Sequence, residues 1–350
     1  LERSIVRRSR KPIIIASRRS RLARVQAEQI GARLSRLHPN LTVQYHWIES
    51  EGDQDQSNSL ADRGGKGLFT RAIERALLEG KADLAVHSLK DLPAQDTAGL
   101  SIAAVPARED VRDCMIARDG LTAVEQLPPG AVVGTSSPRR AAQLLRVRPD
   151  LQMALMRGNV ETRLNKVLQA DGGPTFDATL LAAAGLNRLE LTQYSQTPLS
   201  LVQMLPAACQ GALAIQCRSD DHVTLTRCLP LNDPSASTAV HAERQVVAGL
   251  GADCHSPLAV LAEPVRIDPE KVKRNADAHW FRLRVRVLAH DGKQCLEVDE
   301  TVKTKDLRRL VKKVVKDLMD RGARPLLACG PKIGAAAQVV RTVPTIQPAN

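Results

Sequence analysis

Aromatic side chains are scarce in this chain: its 350 residues include two Trp, two Tyr and three Phe. So few rings speak against the stacking platforms that hold single-stranded nucleic acids. The cysteines lack the order of a metal site or a disulfide framework. Cys114, Cys209, Cys217, Cys228, Cys254, Cys295 and Cys329 are odd in number and form no C-x-x-C pair. They read as reduced thiols in a cytosol-like compartment. No apolar run approaches the roughly 18–20 residues of a membrane span. Residues 1–12 carry five basic side chains and one acidic one. No signal-length apolar stretch follows, so they read as a disordered basic arm rather than a secretory signal.

What is present describes a soluble globular protein, with 43% hydrophobic and 25% charged residues. This length buries a sizeable core and predicts two or three domains. The net charge of +12 raises the question of nucleic acid, but part of the excess lies in the basic arm and part in residues 303–324. There Leu307, Leu310, Val311, Val314, Val315 and Leu318 form a helical stripe with lysines and arginines opposite. That pattern reads as a solvated helix face.

The chemistry concentrates in residues 134–163. A short apolar run, Ala131-Val132-Val133, ends at Gly134 and is followed by Thr135-Ser136-Ser137-Pro138. This is a hydroxyl-rich turn with a proline suited to a first helical position. Arg139 and Arg140 then occupy the first helical turn, where the helix N-terminus already carries partial positive charge. Arg157 and Arg163 recur after a second short apolar run. Each arginine alone would read as solvated or paired with an acid. Four around two predicted strand ends predict an anion site, and a multi-carboxylate ligand suits them better than a single phosphate.

The same design opens the chain. Ile13-Ile14-Ile15-Ala16 predicts a buried parallel strand, followed by Ser17-Arg18-Arg19-Ser20 and a helix through Arg33. Two such units predict two lobes that present helix N-termini to a shared cleft. Residues 42–48 predict a strand, 49–67 a polar lid or loop, and 68–79 a helix. Gly64-Gly65-Lys66-Gly67 lacks the P-loop spacing, which excludes a nucleotide site there. Residues 82–87 predict another strand, which delivers Lys90 and Asp91 to the cleft. Position alone leaves both a capping and a cleft-facing role open for Asp91. His87 reads as a satisfied buried histidine.

Several long segments carry a family resemblance: KGLFTRAIERALLEGKADLAVHSLKDLP, GTSSPRRAAQL, RGNVETRLNKV, DATLLAAAGLNRL and CQGALAIQCR. Their order and spacing resemble the hydroxymethylbilane synthase (porphobilinogen deaminase) family over residues 13–327. The resemblance implies a transferase of tetrapyrrole, porphyrin and heme biosynthesis. It would condense four porphobilinogen molecules head to tail with loss of ammonia, then hydrolyse the chain to hydroxymethylbilane. The implied cofactor is a dipyrromethane held by a thioether, here to Cys254, with no metal. Motif matching assigns Asp91 as the catalytic carboxylate that handles the pyrrole N–H and ring charge. It also places Lys90, Thr135, Ser137, Arg139 and Arg140 around the cofactor, and Arg18, Ser20, Arg157, Arg163 and Arg188 around the substrate. A cytoplasmic monomer is implied, without nucleic-acid or membrane partners.

The implied fold is α/β, with two periplasmic-binding-protein-like lobes around a cleft and a smaller C-terminal α/β domain carrying the cofactor cysteine. Lobe 1 would comprise residues 13–106 and 207–229, lobe 2 residues 107–206, and the third domain residues 230–328, with a loose tail over 329–350. Departures from the family pattern surround the key residues. Ala252-Asp253 replaces Gly-Gly before Cys254, and His255-Ser256 follows. Cys209 stands in place of a glycine, Pro138 of a leucine and Val111 of a proline. A carboxylate beside Cys254 is expected to disfavour the thiolate. The alternative reading is a homologue that lost catalysis and serves as a two-lobed carboxylate-binding protein. Such a binder needs neither Cys254 nor Asp91.

Overall fold

The isoleucines of residues 13–15 build an interior strand of the first sheet. β1 (Ile13–Arg18) pairs in parallel with β2 (Val43–Ile48) on one side and β3 (Leu84–Ser88) on the other. α1 (Arg21–Leu37) follows β1 and buries Ala27, Ile30 and Leu34 against the sheet. α2 (Arg71–Leu78) turns Ile73, Ala76 and Leu77 inward. β4 (Leu100–Ala104) closes the far edge. The structure is a computed structural model and describes residues 11–49, 70–118, 120–168, 176–194, 197–266, 279–328 and 333. The expected basic arm (save residues 11 and 12), the lid (save residue 49) and the tail (save residue 333) lie outside the described residues.

A second sheet repeats the plan. Its strands are β5 (Asp113–Ala117), β6 (Val132–Gly134), β7 (Gln152–Ala154) and β8 (Ala178–Ala182), in the order β5-β8-β6-β7. β6 runs parallel to β7 and β8, and β5 is antiparallel to β8. α3 (Pro138–Val147), α4 (Val160–Leu168) and α5 (Ala183–Arg188) accompany it. The chain then returns to the first sheet as β9 (Leu213–Arg218), inserted antiparallel between β3 and β4. This return fixes a two-lobed α/β architecture with two connections between the lobes.

α6 (His222–Cys228) leads into α7 (Pro234–Leu250). The third sheet is an antiparallel meander of β10 (Leu258–Val265), β11 (Trp280–Leu288) and β12 (Cys295–Lys303). α8 (Leu307–Asp320) and α9 (Ala323–Leu327) complete it. The stripe expected from the sequence forms here: Leu307, Leu310, Val311, Val314 and Leu318 are buried against the meander and α7. Each buried aliphatic side chain contributes about 1.5–3 kcal/mol. Among the described residues no helix is long and apolar enough to cross a membrane.

Two joints lock the third unit to the lobes. Glu243 of α7 is fully buried, holds Arg108 through two contacts of 2.7 and 3.0 Å, and accepts from the Ala262 amide. Gly292, at φ +75°, caps the β11–β12 hairpin against α3. A Cβ placed there would lie 2.5 Å from the Ala142 carbonyl oxygen and 2.6 Å from the Arg146 nitrogen.

Candidate active site

β6 ends at Gly134, and its residues Val132 and Val133 are sealed in the core. Ser137 caps α3, and Pro138 takes the first helical position as the sequence predicts. Thr135 is buried behind the turn, where its hydroxyl accepts from the Ser137 amide at 3.1 Å. Arg139 and Arg140 depart from the simple expectation of cations aimed at an outside anion. Both are buried and share Asp113, at 2.9 and 2.7 Å. Arg139 also donates to the Leu205 carbonyl and Arg140 to that of Leu180, each at 2.7 Å. The helix N-terminus alone could not shed the repulsion of two adjacent guanidinium groups, and the carboxylate at the start of β5 relieves it.

Burial opposes the charge on Asp113, but Arg139 and Arg140, with help from Lys90, hold its carboxyl well below the usual carboxylate range. The neutralisation is incomplete. Among the described residues the Nε atoms of Arg139 and Arg140 are buried without a hydrogen-bond partner, as is Nη1 of Arg244. These nitrogens are sealed from solvent, so they mark incomplete pairing inside the wall, and contact with a ligand falls to the parts of Lys90, Ser137, Arg139, Arg140 and Arg244 that line the cavity.

The opposite lobe contributes the end of β3. A 3₁₀ turn, Leu89–Asp91, follows Ser88 directly, and buried Leu89 pins it. Lys90 Nζ donates to Gln210 Oε1 at 3.3 Å, and Gln210 Nε2 donates to Asp113 Oδ1 at 3.0 Å. Gln210 thus ties the two lobes together beneath the site. Burial and the nearby Arg140 pull Lys90 down to about 8. Asp91 is exposed and makes no hydrogen bond or ion pair among the described residues. Its side chain makes no capping hydrogen bond among the described residues, and it lines the cavity described below.

The third unit supplies the thiol. α7 ends on Gly251 in the left-handed conformation, φ +65°, as helices commonly do. Cys254 follows three residues later and is exposed. Desolvation, then the charges of Asp253 and Asp91, push its thiol up to about 11. The expected effect of Asp253 is therefore present, though it ranks second to desolvation. Arg244 leans from α7 onto Asp96 at 2.7 Å and the Ala94 carbonyl at 3.1 Å, bracing the segment beyond Asp91.

These three walls enclose a cavity of about 400 Å³. Of the residues expected at the site, Lys90, Asp91, Ser137, Arg139, Arg140 and Cys254 line it. Thr135 lies behind the wall. Arg18, Ser20, Arg157, Arg163 and Arg188 do not line this cavity. Arg163 is still close enough for its charge to feel Arg140 and Asp91; burial and Arg140 lower it to about 10. Arg188 donates to the Gly211 carbonyl at 2.8 Å and clasps the lobe connection. Sequence reasoning missed Asp113, Gln210 and Arg244 as site residues. Asp113 lies 26 positions before Arg139, so only the folded sheet juxtaposes them. Cys209, noted as a glycine replacement, lines the cavity at φ +62°, a glycine-like backbone.

A two-lobed cleft lined by cationic side chains, an exposed carboxylate and an exposed thiol has the chemistry of a class of proteins that bind carboxylated small molecules. Sequence comparison narrows the class. The family described as porphobilinogen deaminase, dipyromethane cofactor binding domain, matches residues 13–226. Porphobilinogen deaminase of Chromobacterium violaceum is 43% identical over 316 residues, covering 90% of this chain and 97% of the relative. That of Legionella pneumophila strain Paris is 39% identical over 323 residues, covering 92% and 99%. The chain belongs to the porphobilinogen deaminase family. Among solved structures, the periplasmic aliphatic sulphonate binding protein of Escherichia coli is 11% identical, with coverage of 94% of this chain and 93% of that one. Its TM-score of 0.37 is too low to carry weight.

Proposed function

We propose that this chain is a hydroxymethylbilane synthase. It joins four porphobilinogen molecules head to tail with release of ammonia and hydrolyses the product to hydroxymethylbilane. The observation that carries the reading is the meeting of Cys254 and Asp91 on one cavity that Lys90, Ser137, Arg139 and Arg140 also line. The residues fit a dipyrromethane: an accessible thiol for the thioether, and cationic and hydroxyl side chains lining the same cavity for its acetate and propionate groups. When bound, that group supplies the terminal pyrrole carbon on which the chain grows.

The roles of the side chains follow from their surroundings. Cys254 anchors the growing chain. Arg139, Arg140, Lys90 and Ser137 meet carboxylates with donors already fixed in place, so little side-chain entropy is lost on binding. Among the described residues Asp91 makes no hydrogen bond or ion pair. It is therefore available to accept a pyrrole N–H and to offset the positive charge that develops on a substrate ring as ammonia leaves. We assign Arg18, Ser20, Arg157, Arg163 and Arg188 to later sections of the chain, supported by motif match and, for Arg163, by its proximity to Asp91 and Arg140.

We also propose lobe limits of 13–106 with 207–229 and of 107–206, and a third domain over 230–328; three separate sheets support this division. A cytoplasmic monomer with porphobilinogen as its small-molecule partner, and no nucleic-acid partner, completes the reading. The free, mostly buried cysteines support a reducing compartment.

The test is the mass of the denatured protein after incubation of the apo-form with porphobilinogen. The parent should gain a two-pyrrole increment that maps to the Cys254 peptide. Cys254→Ser should fold, stay unmodified and make no product. An increment retained by the variant, or found on another cysteine, overturns the assignment.

A further inference from the structure

The segment that presents Cys254 is held by its own side chains. Upstream, the Ala252 amide donates to the Val247 carbonyl at 3.1 Å and ties the loop to the end of α7. Asp253 Oδ1 accepts from the His255 amide at 2.9 Å and from the Ser256 hydroxyl at 3.3 Å. The same hydroxyl accepts from the Asp253 amide at 3.2 Å. The Ser256 amide donates to the Asp253 carbonyl at 3.1 Å, and Ser256 accepts through its own carbonyl from Leu258 at 2.8 Å. Ser256 is 8% exposed, so this closure is seated in the wall of the cavity, and Cys254 with His255 forms its tip.

We propose that Asp253 and Ser256 form a reciprocal clasp that positions the Cys254 thiol for cofactor attachment. The inference rests on the functional reading above and concerns a positioning pair. Attachment exchanges the C–N bond of an aminomethylpyrrole for a C–S bond, and the thiol proton leaves with ammonia as ammonium. The sulfur must therefore be held within bonding reach of a carbon that the cationic wall has already placed. A freely moving loop would spend most of its time elsewhere.

Charge and geometry work in opposite directions at Asp253. Its carboxylate disfavours the thiolate, as does the partial negative charge at the C-terminus of α7. Its oxygen meanwhile closes the turn. A carboxylate beside a nucleophilic thiol carries a kinetic cost, and the hydrogen bonds to His255 and Ser256 are what that cost secures.

Substitutions separate the two effects. Asp253→Asn keeps the acceptor oxygen and removes the charge. Asp253→Ala removes both, and Ser256→Ala removes the partner while leaving the charge. Apo-forms of the parent and the three variants are compared in three measurements: the pH profile of Cys254 alkylation by iodoacetamide, the rate of the mass increment with porphobilinogen, and hydrogen exchange of the His255 amide. Both Asp253 variants should alkylate at lower pH than the parent, and Ser256→Ala should follow the parent profile. Attachment in Asp253→Asn should be at least as fast as in the parent. In Asp253→Ala it should be about tenfold slower than in Asp253→Asn, the scale of one or two lost hydrogen bonds. Ser256→Ala should also attach more slowly than the parent.

Equal attachment rates in Asp253→Ala and Asp253→Asn would overturn the clasp and leave Asp253 acting through charge alone. If the parent itself gains no mass at Cys254, the functional reading fails instead. Hydrogen exchange then decides the clasp separately: a His255 amide protected in the parent and in Asp253→Asn, but not in Asp253→Ala, supports it, and an unprotected amide in the parent overturns it.

Discussion

The wall built from residues 137–140 and the wall built from residues 251–256 face the same cavity but are made on opposite plans. The first is buried and cationic, and much of its hydrogen bonding is committed to Asp113, Leu180 and Leu205. The second is a surface loop that exposes Gly251, Asp253 and Cys254, with anionic side chains around a thiol pushed above its ordinary range. Binding groups gain from being fixed before the ligand arrives, because reorganisation would be charged against affinity. On the function proposed above, Cys254 acts once, to install the primer, and gains more from access than from a lowered pKa. The high thiol pKa also spares Cys254 from adventitious oxidation, since the thiolate is the reactive form.

The sharpest way to break this contrast is at Asp113. Asp113→Asn leaves two buried guanidinium groups without their shared counter-charge, a change that costs about 3–5 kcal/mol. Urea unfolding of the apo-protein should show the loss. The sign with pH follows from the depressed carboxyl. Its contribution is complete above the unfolded value of about 3.9 and is lost as acid carries the pH down through the lower folded value. The acid branch of the stability profile should therefore be shallower in the variant. An unchanged midpoint would mean that solvent already screens the pair.

Asp91 tests the reactive side. In holo-protein verified by mass, Asp91→Asn should slow single-turnover consumption of porphobilinogen by roughly 10²–10³, and Asp91→Glu should retain more activity. A near-normal amide variant would show that charge at this position is dispensable. A smaller effect is expected of Arg163→Leu, whose lost charge-assisted contact costs about 1.5–3 kcal/mol. It should appear as stalled intermediates of particular length in the mass spectrum rather than as failure to attach the primer. Normal product formation would place Arg163 outside the path of the chain.

The smallest effect belongs to Cys209→Gly. Relief of the left-handed backbone and loss of a buried side chain offset one another, so stability should stay within about 1 kcal/mol of the parent. A larger loss in thermal unfolding would mean that the side chain packs more tightly than its backbone is strained.

Local signals made much of this legible from sequence. The isoleucines of β1, the hydroxyl turn before α3 and the stripe of α8 each announce themselves within a dozen residues. The expected strand at 82–87 forms as Leu84–Ser88, and the expected helix at 68–79 as Arg71–Leu78, displaced at their ends where caps and turns decide. What stayed hidden is pairwise and distant. Nothing near Arg139 in sequence hints at Asp113, and nothing near Lys90 hints at Gln210, because strands distant in sequence, β5 with β8 and β3 with β9, have to pair before either couple meets. Asp253 was legible as a charge but not as a hydrogen-bond acceptor, since its partners depend on the conformation of the loop.

The glycine at the tip of the third sheet has a mechanical consequence. The ten residues of α3 make a rod about 15 Å long. The hairpin at Gly292 bears on its middle and far end, between Ala142 and Arg146, while the near end holds Ser137, Arg139 and Arg140. Backbone rests on backbone at this bearing, so no rotamer yields when a load is applied. A methyl group added at Gly292 would have to push the rod itself, and the rod would carry the push to the guanidinium end. The gap between the thiol and the cations is thus gauged by a hard stop some distance from either.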